Sequence, residues 1–424
     1  MKRNKLKTAG VSCVAAAAIW TFGSVPAQAA EPEIEASASI MIDADTGQVV
    51  FEDNTDELLS AASMSKMMTE YIVNKAIEDG DISWNDEVAI SDKVRELSLQ
   101  TNLSNVPLRQ DETYTVEELY EAMAIYSANG ATIALAEHIE GSEAAFADRM
   151  NQQAGELGME NYEFVNATGL NNSTMMGYAP EGSEENAENM MSANDTALLA
   201  YHLLDEYPEV LEVAGIPKKT FKEGTEEPID MINWNKMLPG LEQEYEGVDG
   251  LKTGTTDLAG NAFTGTIEQD GNRYISVVMN AETKMSRFTE TAKLYDYAGR
   301  ELERRTLVEK GAEIDGESSI EVEGGQEESI DVTAGEKLEL ISSEEIEPEY
   351  EIAVSKNEAP IEKGEEVGTV VVTNSEASYV QGGTSRTEVP LTAGEAVEER
   401  GWFGNIVQSV SNLFSSVRHA DADK

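Results

Sequence analysis

The sequence is poor in cysteine, histidine and positive charge: it has one cysteine, three histidines, and 30 lysines and arginines against 81 aspartates and glutamates. Cys13 lies within the first 29 residues, so the remainder of the chain contains no thiol and can form no disulfide. The formal net charge of −51 excludes nucleic acid as a partner, because phosphate binding needs clustered cations. A Ser-His-Asp triad is hard to assemble from His138, His202 and His419, which we interpret as structural or solvated.

The first 29 residues have the composition of a secretory signal. A basic start is followed by an apolar run over residues 11–22 and by the small-residue sequence Ala27-Gln28-Ala29. We therefore predict a signal peptide over residues 1–29 and an exported protein. The apolar run continues after Cys13, which disfavours attachment of a lipid at that cysteine.

The motif Ser63-Met64-Ser65-Lys66 opens an apolar-periodic run. Residues three apart in a helix lie on one face, so the Lys66 amine can reach the Ser63 hydroxyl. A lysine can accept the proton of a serine when its pKa falls well below about 10.4. Taken alone, the same four residues more often mark a helix start with a capping serine and a solvated lysine. Further motifs decide between these two interpretations.

Two further motifs follow in the order typical of the penicillin-recognising acyl-serine enzymes, namely Ser127-Ala128-Asn129 and Lys252-Thr253-Gly254. Ser127 and Asn129 fall between two helical patterns. At such a junction Ser127 could relay a proton to a leaving group, while Asn129 could hold a substrate carbonyl and brace Lys66. A polar helix junction without function is the alternative.

The third motif reads as an edge strand beside a cleft. Lys252 and the hydroxyls of Thr253 and Thr255 can bind a terminal carboxylate, and Gly254 admits the close approach of a substrate backbone. The Thr255 amide and that of Ser63 can form an oxyanion hole. A solvated lysine on an exposed strand would show the same residues.

The pattern along the chain indicates an α+β domain followed by a smaller one. Strand patterns stand before the first motif and after residue 248, with helical patterns between them, so one sheet should pair both ends of a domain spanning residues 35–305. Short β-type runs separated by glycine predict a small β-rich domain over residues 306–390. Residues 395–419 have the spacing of an amphipathic helix that lies on a membrane surface, although a helix docked on its own protein shows the same spacing.

With these motifs, the chain resembles the low-molecular-mass penicillin-binding proteins that are serine-type D-alanyl-D-alanine carboxypeptidases. The likeness extends through residues 62–69, 126–136, 164–170 and 247–254, and the domain order is similar too. It implies the penicillin-binding-protein and β-lactamase-like transpeptidase fold, an antiparallel sheet with a helical subdomain, followed by a small all-β domain.

The resemblance also implies an activity. Ser63 would be the acyl-enzyme nucleophile, Lys66 its proton acceptor, Ser127 and Asn129 the second-motif groups, and Lys252 a substrate-binding residue. The implied reaction removes the terminal D-alanine from peptidoglycan pentapeptides, with no cofactor and no metal. β-Lactams would be covalent inhibitors. The protein would act at the outer face of the cytoplasmic membrane or in the cell wall, and partial secretion is an alternative.

Three alternatives stay open. A class A β-lactamase shares the three motifs but needs a Glu-x-x-Leu-Asn segment, which is absent between the second and third motifs. A DD-endopeptidase uses identical acyl-serine chemistry on cross-linked peptides. An inactive wall-binding scaffold would not need all of the reactive side chains that this chain has.

The sequence departs from many relatives at Gly130, where they have aspartate, and from some at Ala262, where they have cysteine.

Overall fold

The computed structural model describes residues 31–225, 227–314, 319–373, 377–380 and 387–401. The predicted signal peptide and residues 402–419 of the predicted amphipathic helix lie outside these residues. Residues 395–401, where that predicted helix begins, are not helical: Val397 and Glu399 form isolated bridges with Ile361 and Gly325 of the β-rich part. Among the described helices, none combines the length and the apolar character needed to cross a bilayer.

The described helices are α1 (Lys66–Glu78), α2 (Asp92–Ser98), α3 (Val116–Tyr126), α4 (Asn129–Glu140), α5 (Glu143–Glu156), α6 (Ala193–Glu206), α7 (Val210–Ala214) and α8 (Ser286–Glu301). The described strands are β1 (Ala38–Asp43), β2 (Val49–Asp53), β3 (Leu59–Ser60), β4 (Glu87–Val88), β5 (Tyr114–Thr115), β6 (Tyr162–Glu163), β7 (Met190–Met191), β8 (Lys218–Phe221), β9 (Ile229–Ile232), β10 (Val248–Thr256), β11 (Gly260–Gln269), β12 (Asn272–Ala281), β13 (Glu303–Val308), β14 (Ser319–Glu321), β15 (Ser329–Ala334), β16 (Leu338–Ser342), β17 (Tyr350–Val354), β18 (Glu366–Val372) and β19 (Glu388–Ala393).

An antiparallel sheet in the order β10-β11-β12-β1-β2 is the framework of the first domain, and β1 pairs with β12 as the sequence predicts. Successive side chains of a strand point to opposite faces, and β1 is buried on both. Ile40 and Ile42 pack with α1 and α6, whereas Met41 packs with α8. The third motif lies on β10, at an edge of this sheet.

Local sequence explains several element ends. Thr115 and Glu118 form a capping box at the start of α3, and the Ser142 side chain caps α5. Asp270 and Gly271 both have positive φ, the conformation that a two-residue hairpin turn needs between β11 and β12.

The second domain contains a five-stranded sheet in the order β14-β15-β19-β18-β17 and the separate pair β13-β16. Its apolar residues form a core of their own. The predicted fold class is therefore confirmed, while the residue bounds 35–305 and 306–390 stay predictions. The last helix before this domain, α8, ends at Glu301 and is followed by β13.

The turn between β1 and β2 is where the second domain contacts the first. The Gln48 side-chain amide exchanges two hydrogen bonds with the backbone of Ile341, at 2.7 and 2.9 Å. The Arg304 guanidinium donates to the buried carboxylate of Asp43 at 2.9 Å. Val380 is buried in the apolar core of the first domain.

Candidate active site

Ser63 lies in a single turn of 3₁₀-helix, Ala62–Ser65, that runs directly into α1. This places Lys66 at the first position of α1, three residues after the serine. The Lys66 ammonium nitrogen is 3.0 Å from Ser63 Oγ, as the spacing predicts. Ser63 is partly exposed, whereas Lys66 is fully buried. The nucleophile candidate therefore faces solvent while its partner amine does not.

The contacts of Lys66 indicate how it would act as a base. Its Nζ also donates to Asn129 Oδ1 at 2.9 Å and to the carbonyl of Thr168 at 2.7 Å. Both of these oxygens only accept, so they take the two N–H groups of a neutral amine. The nitrogen lone pair is then left for the Ser63 hydroxyl. Burial, aided by the nearby Lys252 ammonium, holds the pKa of Lys66 well below its usual value.

Ser127 lies between α3 and α4 in the left-handed conformation, with φ +57°. This break between the two helices turns its hydroxyl toward Lys252, whose Nζ donates to Ser127 Oγ at 2.9 Å. Burial lowers the pKa of Lys252, and the carboxylate of Glu70 opposes this shift. Asn129 braces Lys66 as predicted, but its Nδ2 donates to the Ser104 carbonyl at 3.0 Å.

Gly254 lies close to the backbone of the segment before Ser63. The sequence had led us to expect that this glycine makes room for the backbone of a substrate. A Cβ at this position would be 2.8 Å from the carbonyl oxygen of Ala61. Glycine therefore lets β10 approach the segment that bears Ser63. On the same strand Thr253 is buried and Thr255 is exposed. The oxyanion hole formed by the Ser63 and Thr255 amides stays a prediction.

The sequence analysis missed Arg287, near the start of α8. Its Nη1 donates at 3.0 Å to the Gly254 carbonyl and to Thr255 Oγ1, so a buried guanidinium lies behind the third motif. Burial lowers its pKa to about 10. No local motif surrounds Arg287 in the sequence, and its two contacts with the third motif are with residues more than 30 positions earlier.

Two buried carboxylates near the motifs were also missed. Glu70, one turn after Lys66 on α1, has its pKa raised by burial, against the opposing charges of Lys252 and Lys66. Glu188 accepts hydrogen bonds from Ser60 and from Thr256 at the end of β10. It thereby joins the chain before the nucleophile to the strand of the third motif.

The loop that supplies the Thr168 carbonyl is held by Asn166, whose Oδ1 accepts from the backbone amides of Thr168 and Gly169 at 3.0 and 2.8 Å. This loop lies within the stretch 164–170 on which the resemblance partly rests. The contact with Lys66 is made by a backbone carbonyl, which every residue has, so the amino-acid type at position 168 could not have indicated it. Only the likeness to the family over residues 164–170 pointed to this loop.

The site contains no histidine among the described residues: His202 pairs with Glu206 on α6, and His138 Nε2 is buried without a hydrogen-bond partner. Within the same part of the chain, no group of three or more histidine, cysteine or acidic side chains could hold a metal ion.

Comparison with known proteins gives two family matches. Residues 25–283 match the model of the peptidase S11 family, described as D-alanyl-D-alanine carboxypeptidase. Residues 302–399 match the C-terminal domain of penicillin-binding protein 5.

Relatives match most of the chain. The D-alanyl-D-alanine carboxypeptidase DacF of Bacillus subtilis is 31% identical over 372 residues, which is 87% of this chain and 87% of DacF. The crystal structure of the peptidoglycan synthesis regulatory factor PBP3 of Streptococcus pneumoniae matches with a TM-score of 0.74 at 35% identity, over 87% of this chain and 100% of that one.

Penicillin-binding protein D2 of Listeria monocytogenes, solved in its ampicillin-bound form, matches with a TM-score of 0.52 at 32% identity, over 63% of this chain and 98% of that one. These matches confirm the family predicted from the three motifs. The chain belongs to the S11 family of serine-type D-alanyl-D-alanine carboxypeptidases, with a penicillin-binding protein 5 C-terminal domain after its peptidase domain.

Proposed function

We propose that this protein removes the terminal D-alanine from peptidoglycan pentapeptides through an acyl-enzyme on Ser63. The observation that carries the proposal is the environment of Lys66. Its amine is buried, hydrogen-bonded to Ser63 Oγ, and held by two acceptors that leave its lone pair for the serine. Burial lowers the pKa of such an amine, so it is available as a base at a lower pH than an ordinary solvated lysine.

In the first half of the reaction, Lys66 takes the proton of Ser63 as the serine oxygen attacks the carbonyl of the penultimate D-alanine. The C–N bond to the terminal D-alanine breaks, and the departing nitrogen gains a proton through the Ser127 hydroxyl. Lys252, Thr253 and Thr255 bind the terminal carboxylate. The proton that Lys66 accepted reaches the departing nitrogen by way of Ser127, so the amine of Lys66 is neutral again. In the second half, Lys66 accepts a proton from the water that attacks the ester and delivers it to Ser63 Oγ as the ester bond breaks, which releases the product acid and restores the free serine.

β-Lactams would react with the same serine. The likeness to a relative solved with bound ampicillin supports this proposal, as does the partial exposure of Ser63. A β-lactam carries a strained amide and a carboxylate, and these correspond to the scissile bond and the terminus of the peptide substrate. The resulting ester would block the site for as long as it resists water.

We also propose that the protein acts outside the cytoplasm, at the outer face of the cytoplasmic membrane or in the cell wall. The signal-like composition of residues 1–29 supports export. The apolar spacing of residues 402–417 supports a helix lying in the membrane interface.

Fluorescent penicillin labelling followed by mass spectrometry tests the proposal. Wild type should form one adduct on the peptide that contains Ser63, and Ser63→Ala should form none. Ser173→Ala, which removes an exposed hydroxyl elsewhere, is the matched control and should label normally. The same three proteins should show the same pattern in D-alanine release from a pentapeptide. An unlabelled wild type, or a labelled Ser63→Ala, would show the assignment to be wrong.

A further inference from the structure

The break between α3 and α4 leaves the carbonyl of Tyr126 without its helical partner. In a continuous helix this oxygen would accept from the amide of Gly130, four residues on. That amide instead donates to Asn105 Oδ1 at 2.9 Å. The Tyr126 carbonyl belongs to the same peptide unit as the Ser127 nitrogen, so whatever binds it also fixes the backbone of Ser127.

The side chain that binds this carbonyl is Trp234. Its indole Nε1 donates to Tyr126 O at 3.1 Å, and its ring stacks on the Tyr126 ring with centroids 6.1 Å apart and an interplanar angle of 26°. One side chain thus makes a directional contact and an apolar contact with the residue that precedes Ser127.

Trp234 is itself held on both sides by buried asparagines. Asn233 donates from Nδ2 to the carbonyls of Ala214 and Ile216, each at 3.0 Å. Asn235 donates from Nδ2 to the carbonyl of Gly250 at 3.0 Å, two residues before Lys252 on β10. The segment 233–235 therefore connects the end of α3 to the strand that carries Lys252.

This connection spans the two residues whose side chains meet in the site. Ser127 Oγ and Lys252 Nζ are 2.9 Å apart, although one follows a helix and the other lies on the sheet edge. A hydroxyl that gives its proton to a departing nitrogen must keep its position to a fraction of an ångström. The left-handed backbone of Ser127 would relax unless its neighbours held it.

We infer that Trp234 is a positioning residue for Ser127, acting on the transfer of a proton to the leaving group. The inference rests on the proposed function. The residue touches neither substrate nor reacting atoms. Its indole N–H holds the 126–127 peptide so that the Ser127 hydroxyl, hydrogen-bonded to Lys252, points to the nitrogen that departs as the C–N bond breaks.

Leaving groups that differ in their need for a proton test this role. A peptide ending in D-Ala-D-Ala expels an amine, which must be protonated as it leaves. The matched thioester, with the same acyl part, expels a thiolate, which leaves as an anion because thiols are far more acidic than amines. Both form the same acyl-enzyme on Ser63, so their ratio isolates the proton transfer.

Trp234→Phe keeps an aromatic ring and removes the N–H. We expect kcat/KM for the D-Ala-D-Ala peptide to fall on the order of 10²-fold, the usual range for lost general acid catalysis, and thioester cleavage to change by less than about threefold. Trp84→Phe is the matched control, because Trp84 packs edge-on against Tyr120 of the same α3. It should leave the peptide-to-thioester ratio at the wild-type value.

A second comparison separates positioning through Ser127 from general damage. Ser127→Ala alone and Ser127→Ala with Trp234→Phe should cleave the peptide at equal rates, since Trp234 then has no hydroxyl to position. Losses that multiply in the double variant, or a Trp234→Phe enzyme that loses peptide and thioester activity equally, would overturn the inference. A wild type that cleaves neither substrate would instead overturn the proposed function.

Discussion

Gly169 provides a direct test of how tightly the nucleophile is held. It has φ +75° and lies against the segment before Ser63, so that a Cβ built on it would be 1.7 Å from the carbonyl oxygen of Ala62. Ordinary van der Waals contact begins at 3.4 Å. In Gly169→Ala the two backbones must therefore separate by about 1.7 Å, and no side-chain rotation can relieve the contact.

The displaced residue is the immediate neighbour of the nucleophile. A misplacement of about 1 Å in a reacting group costs on the order of 10²-fold in rate. We therefore expect Gly169→Ala to lower the rate of acylation by fluorescent penicillin by roughly 10²-fold or more. This rate is measured by quenching the labelling reaction at a series of times, and thermal unfolding shows how much of the protein is folded.

Gly141→Ala is the matched control, because Gly141 also has φ +75° but a Cβ there would meet nothing within 4 Å. This variant isolates the cost of placing alanine in the left-handed region, roughly 1–2 kcal/mol. It should lower the melting temperature by a few degrees and leave the acylation rate unchanged. A folded Gly169→Ala protein that acylates at the wild-type rate would refute the reasoning.

Four further predictions concern charge and location. Because burial and the Lys252 ammonium hold the pKa of Lys66 low, acylation should rise with pH and level off well below the ordinary lysine value of about 10.4, as a pH–rate profile will show. Glu70→Gln removes a carboxylate that raises this pKa, so the rising limb should move to lower pH; an unmoved limb contradicts the coupling. Arg287→Gln should raise KM for a peptide with a free terminal carboxylate by about tenfold or more, and steady-state kinetics on the amidated peptide should show no matching loss. Deleting residues 401–424 should move the protein from the membrane fraction to the soluble one with its activity intact; unchanged partitioning would count against the anchor.

The part of the site that could be predicted from sequence is the part built from local spacing. Ser63 and Lys66 are one helical turn apart, so their contact follows from helix geometry alone. The contact between Ser127 and Lys252 depends on chain folding over long range, and only the ordered set of motifs indicated it. Arg287 reaches the site from a helix that carries no recognisable motif, so no sequence pattern indicated that it belongs to the site.

The fold was predictable where strands alternate or end in recognisable turns. The strand β19 is hard to predict from sequence, because Pro390 lies within it and proline usually argues against a strand inside a sheet. The structure resolves this conflict. Pairing of β19 with β15 stops at Leu391, and the Pro390 carbonyl accepts from Gly335 just after β15 ends. The nitrogen of Pro390 faces the same side as its carbonyl, so the missing N–H lies just beyond the last registered pair of the β15-β19 ladder.

The position of Val380 bears on how separable the two domains are. This residue belongs by sequence to the second domain, yet it is buried in the same apolar cluster as Met64, the neighbour of the nucleophile. A chain cut after residue 305 would keep every reactive side chain and lose one buried side chain from the apolar core of the first domain. The C-terminal domain therefore contributes to the core of the peptidase domain, and exchanging it between relatives would also replace a part of that core.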